Sequence, residues 1–328
     1  MSRFSKPLTL AHLNDATLGA FALVPSSETL DHLLRYLSTW SGSDKLFMII
    51  QYAVKLIVPF LNMRARMQHR AGLRPTDTSS AAEGWKKLAS VVSDARVLWR
   101  IWGLLPIVQW LISLERSPPP TRKLLTIERM QGWSMLAYYP LEHLYYLCSH
   151  SIIPSTFPSL ASLFSSHAKP IVLNTDAMGI WSCRFWALYV VLQFAHLKED
   201  RELLKIREKA LNKAKGKANN GAAEKEDLQK RWDAFWNEFV VNVGYLPLTV
   251  HWSLEKGLFR NDVWVGVFGL LAAVASFRSG WKATALPTSS SSSSSSLDPA
   301  MELEKDAGPE LPDPLADQTI EPAGFGEM

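Results

Sequence analysis

WKKLASVVSDARVLWRIWGLL, residues 85–105, places its apolar side chains at the period of an α-helix. At about 100° per residue, Trp85, Leu88, Val91, Val92, Ala95, Leu98, Trp99, Trp102 and Leu105 fall on one side. Lys86, Lys87, Ser90, Ser93, Asp94, Arg96 and Arg100 fall on the other. Two readings of such a helix are open. In one it lies in a membrane interface, its apolar side among acyl chains and its cations near lipid phosphates. In the other it packs against residues 46–61 as an ordinary bundle helix, since surface helices in general are amphipathic. Both readings make the segment helical.

The same period extends outward. Upstream, Ser26 or Ser27 is a cap for a helix starting near Glu28 and ending around Ser41-Gly42. Ser43-Asp44 is a cap for LFMIIQYAVKLIVPFLNMRARM, in which Pro59 predicts a kink. Arg74-Pro75 through Gly84 reads as a loop, and the helix from Trp85 is expected to end at Gly103, ahead of Pro106. Downstream, Ser117-Pro118-Pro119-Pro120 reads as a stiff hinge. Helix resumes from Thr121 to about Ser149, with an interruption at Pro140, and Pro154 to Pro170 reads as a connector.

Two later stretches have the composition of membrane spans. WSCRFWALYVVLQFAHL (181–197) holds one charge, Arg184, and VWVGVFGLLAAVASF (263–277) holds none. Leu258, Phe259 and Trp281 would extend the second toward the roughly 17–25 residues that a crossing requires. Gly266, Gly269, Ala273 and Ser276 share one face of it, where small residues let helix backbones approach closely. That stripe predicts helix packing or oligomerisation. Lys198 to Asp233, between the two stretches, is charged enough to require water.

The expected fold class is therefore all-α: a membrane-associated helical bundle with amphipathic N-terminal helices, one or two C-terminal spans and a disordered acidic tail. Residues 1–27 form an N-terminal segment and 28–116 an amphipathic, basic helical region. Residues 117–287 form a helical membrane region with candidate spans at 181–197 and 258–281, and 288–328 a Ser-rich linker and acidic tail. Composition agrees: 47% hydrophobic and 20% charged residues, with 13 Trp, a residue favoured at wet–apolar boundaries. The net charge of +4 divides into +12 over residues 1–296 and −8 from Leu297 onward, so the body suits an anionic surface.

Chemistry is poorly represented. Cys148 and Cys183 make no disulfide framework and no zinc site. Glu142, His143 and His150 invite a metal reading, but the two histidines are seven apart with no third ligand near. No Gly-rich phosphate loop, GxSxG elbow or HExxH motif occurs. No catalytic residue, metal ligand or cofactor is expected. The basic residues of 85–105 are too few for nucleic acid, and no recognised DNA or RNA module surrounds them.

Three blocks carry a family likeness: LLRYLSTWSGSDKLFMIIQYAVKL (33–56), LASVVSDARVLWRIWGLLPIVQW (88–110) and SLERSPPPTRKLLTIERMQGWSMLAYYPLEHLYYLCSH (113–150). The sequence resembles the peroxin-eleven family of peroxisomal membrane proteins, in particular its gamma-like, C-type fungal form, over most of residues 28–285. Asp44-Lys45 meets one family pattern, and Ser93, Arg96 and Arg100 meet another. The resemblance implies a protein of the peroxisomal membrane that promotes its elongation, peroxisome proliferation and fission. It implies insertion of an amphipathic helix into an anionic phospholipid membrane, homo-oligomerisation, and fission machinery including a dynamin-type GTPase as partner. Under this reading Trp85, Lys86, Lys87, Leu88, Val92, Arg96, Trp99, Arg100 and Trp102 bind the membrane. The alternative is a solute channel of the same membrane, with Arg184 and Arg129 as an anion-favouring lining. A third reading, a soluble helical adaptor, packs the apolar faces into a core.

Overall fold

The computed structural model describes residues 18–19, 24–157, 170–214 and 221–285. The Ser run at 289–296 and the acidic tail lie outside these residues. The all-α expectation holds. Helix α1 spans Glu28–Leu37 and α2 spans Trp40–Arg70. After Ser79, α3 (Ser80–Trp99) leads through a 3₁₀ turn, Arg100–Gly103, into α4 (Leu104–Arg116). Then come α5 (Arg122–Ser149), α6 (Thr175–Ala214), α7 (Gly221–Trp252) and α8 (Asp262–Ala283). A two-residue antiparallel pair, β1 (Thr156–Phe157) and β2 (Ile171–Val172), ties the two ends of the α5–α6 connector.

Local chemistry explains several boundaries that differ from expectation. Ser27 does cap α1, accepting from the Leu30 amide. The break before α2 comes at Ser38-Thr39, not at Ser41-Gly42. Thr39 Oγ1 accepts from the Gly42 amide at 3.0 Å, and the Gly42 Cα lies so close to the Tyr36 carbonyl that a Cβ would collide with it. Ser43 and Asp44, expected as the cap, lie inside α2: Ser43 Oγ donates back to the Leu37 carbonyl, and Asp44 is committed to Arg96. Helix α2 continues through Pro59. Helix α3 starts at Ser80, so Gly84 belongs to it rather than to a loop. The helical path does not end at Gly103. Gly103 abuts the Tyr139 ring, the chain tightens there, and Pro106 falls in the first turn of α4, where a missing N–H costs nothing. Likewise α5 runs unbroken through Pro140. Leu258 and Phe259 precede α8, whose cap is Asn261, instead of extending it.

Among the described residues the helices form a closed ring of antiparallel rods. Each rod packs on its neighbours in sequence, and α8 returns against α2. Gly266 sits on Lys55 and Leu56, Gly269 on Tyr52 and Gly280 on Tyr36, so α8 descends as α2 ascends. Helix α1 closes one end: Arg35 Nε donates to the Thr284 carbonyl at 2.9 Å. The core holds Met48, Tyr52, Met135, Tyr138, Trp186, Tyr245 and Leu248. Trp186 meets Tyr245 edge-on at 5.5 Å and stacks on Trp252 at 5.9 Å. Among the described residues four helical stretches are long and apolar enough to cross a membrane: Trp40–Arg70, Ser80–Arg116, Thr175–Lys213 and Asp262–Ala283. The last two contain the expected spans; the first two add to them.

Candidate membrane interface

The α3–α4 rod is turned with Arg96 and Arg100 inward. Arg96 and Arg100, expected with the outward cations, are 3% and 4% exposed, whereas Trp102 and Leu105 are 71% and 64% exposed. Trp85, Leu88, Val91, Leu98, Trp99 and Ile101 are exposed as well, and Trp99 leans on Phe47. Of the expected apolar face, Val92 is the member that turns inward and is buried. Lys86 and Lys87 lie outside, on the exposed first half of α3. Burying guanidiniums while leaving Trp and Leu outside is unfavourable in water. It is favourable where the surrounding medium is hydrocarbon, because polar groups then find partners only inside the bundle.

The inward arginines have such partners. Arg96 Nε donates to Asp44 Oδ1 at 2.8 Å and Arg96 Nη1 to Gln51 Oε1 at 2.7 Å. Lys45 Nζ lies 3.9 Å from Asp44. One turn on, Arg100 Nη2 lies 3.6 Å from Glu142 Oε1, the same oxygen that accepts the Tyr138 hydroxyl. Arg100 Nε donates to the Arg96 carbonyl. Only Arg100 Nη1 and Glu142 Oε2 in this chain of contacts lack a partner. A second buried run crosses from α5 to α7: Gln131 Nε2 donates to Gln193, Gln193 to Glu238, and Asn242 Nδ2 to the same Glu238 oxygen. Gln51, Gln131 and Gln193 were not anticipated. Their signal in the sequence is a polar residue at an inward position of an otherwise apolar helix.

An apolar outer surface continues beyond α3–α4. On α8, Trp264, Val267, Leu271 and Val274 point outward at helical spacing. On α2, Ile57, Phe60, Met63 and Met67 do so, and on α6, Trp181, Leu188 and Val191. The small-residue stripe lies on the opposite, inner face: Gly266, Gly269, Ala273 and Ser276 are buried, and the first two receive the side chains of Lys55, Leu56 and Tyr52 on α2. Within the chain this stripe serves helix packing, so it offers no free face for oligomerisation.

The remaining expected residues occupy structural positions. Arg129 lies outside and pairs with Glu115 across the α4–α5 junction. Arg184 covers Trp181 at 4.8 Å and donates to the Ser253 carbonyl. The two arginines line no common passage. Glu142 is committed to Arg100 and Tyr138, while His143 and His150 bond to carbonyls one turn back on α5. Among the described residues no group of three His, Cys, Asp or Glu could hold a metal.

A family model described as "Peroxisomal biogenesis factor 11" matches residues 30–281. An uncharacterized protein of Schizosaccharomyces pombe is 26% identical over 208 residues, covering 63% of this chain and 80% of its own length. No solved structure matches.

Proposed function

The chain belongs to the peroxisomal biogenesis factor 11 family, and from that premise we propose that it elongates the peroxisomal membrane and prepares it for fission. The family consists of structural factors of peroxisome biogenesis and proliferation, associated with the peroxisomal membrane. The observation supporting the finer reading is the inverted α3–α4 rod, with Arg96 and Arg100 inside and Trp102 and Leu105 outside. Pressed into one leaflet of an anionic phospholipid bilayer, this face expands that leaflet relative to the other, and the bilayer relieves the mismatch by curving. Lys86 and Lys87, at the exposed start of α3, meet lipid phosphates.

Homo-oligomerisation concentrates these wedges into a tubule, and fission machinery with a dynamin-type GTPase acts on it. Because the small-residue stripe is occupied by α2, the association face is an outer one. The Trp264, Val267, Leu271 and Val274 row of α8 has the required helical spacing. The channel reading draws no support from Arg184 and Arg129, which lie apart.

The test uses the full chain reconstituted in anionic liposomes and imaged by electron microscopy. Wild type is expected to draw tubules. A Leu98→Asp/Trp102→Asp double variant, altered only at exposed positions, is expected to keep its helicity and lose tubulation. Round vesicles with wild type, or equal tubulation by the variant, would refute the wedge.

A further inference from the structure

An open cleft of about 740 Å³ lies between the C-terminal half of α2 and the start of α8. Asn62, Arg66 and Arg70 line it from one face of α2, at spacings of four, and Arg260 lines it from the turn before α8. None of these three arginines has a carboxylate partner among the described residues. By contrast Arg96, Arg100, Arg129, Arg207, Arg231 and Arg278 each have one. Asp262 also lines the cleft, so three positive charges face one negative charge and a surplus of two remains. Two amides of the first turn of α8 are already taken, Val263 by Asn261 Oδ1 at 3.0 Å and Trp264 by the Asn261 carbonyl at 3.2 Å.

Three arginines lining one cleft, with a double positive surplus, match a group with two negative charges and several acceptor oxygens. Guanidinium forks bind such oxygens in bidentate fashion. The cleft stands at the end of two long apolar helices, and Phe60 and Met63 continue outward from it along α2 as exposed apolar surface. We propose that the cleft seats a phosphomonoester dianion carried by a membrane lipid of the phosphatidate type, with the acyl chains lying along Phe60 and Met63. This inference rests on the membrane reading above, extended to α2 and α8: helices of this length and hydropathy that cross a bilayer have their ends at headgroup level.

The full chain in detergent micelles would be titrated separately with dioctanoyl phosphatidate, dioctanoyl phosphatidylglycerol and glycerol 3-phosphate while its unfolding midpoint is followed. Phosphatidate is expected to raise the midpoint saturably, and the other two are not. Arg66→Gln/Arg260→Gln is expected to weaken the phosphatidate effect about tenfold or more. The exposed Arg64→Gln, on the same helix but outside the cleft, is expected to leave it unchanged. Circular dichroism and the ligand-free midpoint establish that the variants fold. Equal response to phosphatidylglycerol would reduce the effect to surface charge and overturn the site. Equal response to glycerol 3-phosphate would overturn the lipid as carrier, and an unaltered double variant would overturn the location. Alkaline carbonate extraction of the same proteins separates the two readings. A chain that stays in the membrane yet shows no selectivity fails this proposal alone, whereas a chain released by carbonate fails the membrane reading.

Discussion

Arg96 stands in the bundle with Asp44 on one side and Gln51 on the other, and this pairing sets the consequence of losing either partner. Asp44→Ala leaves a buried guanidinium without its carboxylate, and such a break costs about 3–5 kcal/mol. Replacing both ends, as in Asp44→Leu/Arg96→Met, removes the unpaired charge and is expected to recover most of that loss. Unfolding of purified protein in mixed micelles, with single and double variants compared, checks both outcomes. Two glycines give opposite signs. Gly269 presses on the Tyr52 ring, so Gly269→Val overpacks the α2–α8 contact and is expected to lower stability by about 1–3 kcal/mol. A Cβ on Gly84, in the second turn of α3, meets nothing within 4 Å. Gly84→Ala is therefore expected to stabilise by up to about 1 kcal/mol through helix propensity alone. The same unfolding assay reads both. The sequence put Arg96 and Arg100 on one side with Lys86, Lys87, Ser90 and Asp94, which stay exposed; it did not show that the two arginines turn inward with Val92. Periodicity is blind to the surrounding medium, and hydrocarbon outside the bundle reverses the usual preference.

At the scale of elements, the turn between α7 and α8 is held by one imidazole. His251 Nδ1 accepts from the Leu258 amide at 2.7 Å and from the Phe259 amide at 3.1 Å. Gly257, at φ +64°, brings the chain back over the ring, where a Cβ would collide with His251. Both bonds need Nδ1 unprotonated. Burial holds this imidazole below its ordinary value of 6.5. The unfolded chain then binds a proton before the folded chain does, so the folded state loses stability as pH falls. The contribution is complete above about pH 6.5 and is lost as pH drops through the lower folded value. Amide exchange at Leu258 and Phe259, taken relative to the intrinsic rate at each pH, is expected to accelerate on acidification in wild type. In His251→Ala it is expected to be fast at neutral pH already and to lack this step. The elements themselves were largely legible: caps at Ser27 and the run of apolar residues from Leu46 identified α1 and α2. The errors cluster at Pro106 and Pro140. Local rules make proline a break there, yet Pro106 is seated in the first turn of α4 and α5 continues through Pro140.

At the scale of the whole molecule, antiparallel packing sorts the connections into two sets. Contacts between Lys123 and Glu199, between Arg207 and Asp227, and between Asp233 and Lys282 gather one end of the ring. That end also holds α1 on the tail of α8, the Pro-rich 117–120 link and the charged 198–213 stretch. The 71–79 loop, the β1–β2 connector and the 253–261 turn lie at the other end. The ring closure was not legible in the sequence, because it depends on α8 meeting α2 across more than two hundred residues through Gly266, Gly269 and Tyr52. Nor was the number of apolar rods legible, since Asp44, Lys45 and Arg96, charges that make α2 and α3 read as surface helices, are buried between them. If the ring crosses the bilayer along its axis, its two ends lie in different compartments, and the basic 198–213 stretch marks the cytosolic one. Single cysteines at exposed Ser117 and Thr78, in a chain carrying Cys148→Ser and Cys183→Ser, distinguish the ends. In sealed peroxisomes a membrane-impermeant maleimide is expected to label Ser117→Cys at once and Thr78→Cys only after the membrane is opened. Immediate labelling of both would show that the ring lies on one face of the bilayer, with its outer apolar rows dipping in from that side rather than crossing.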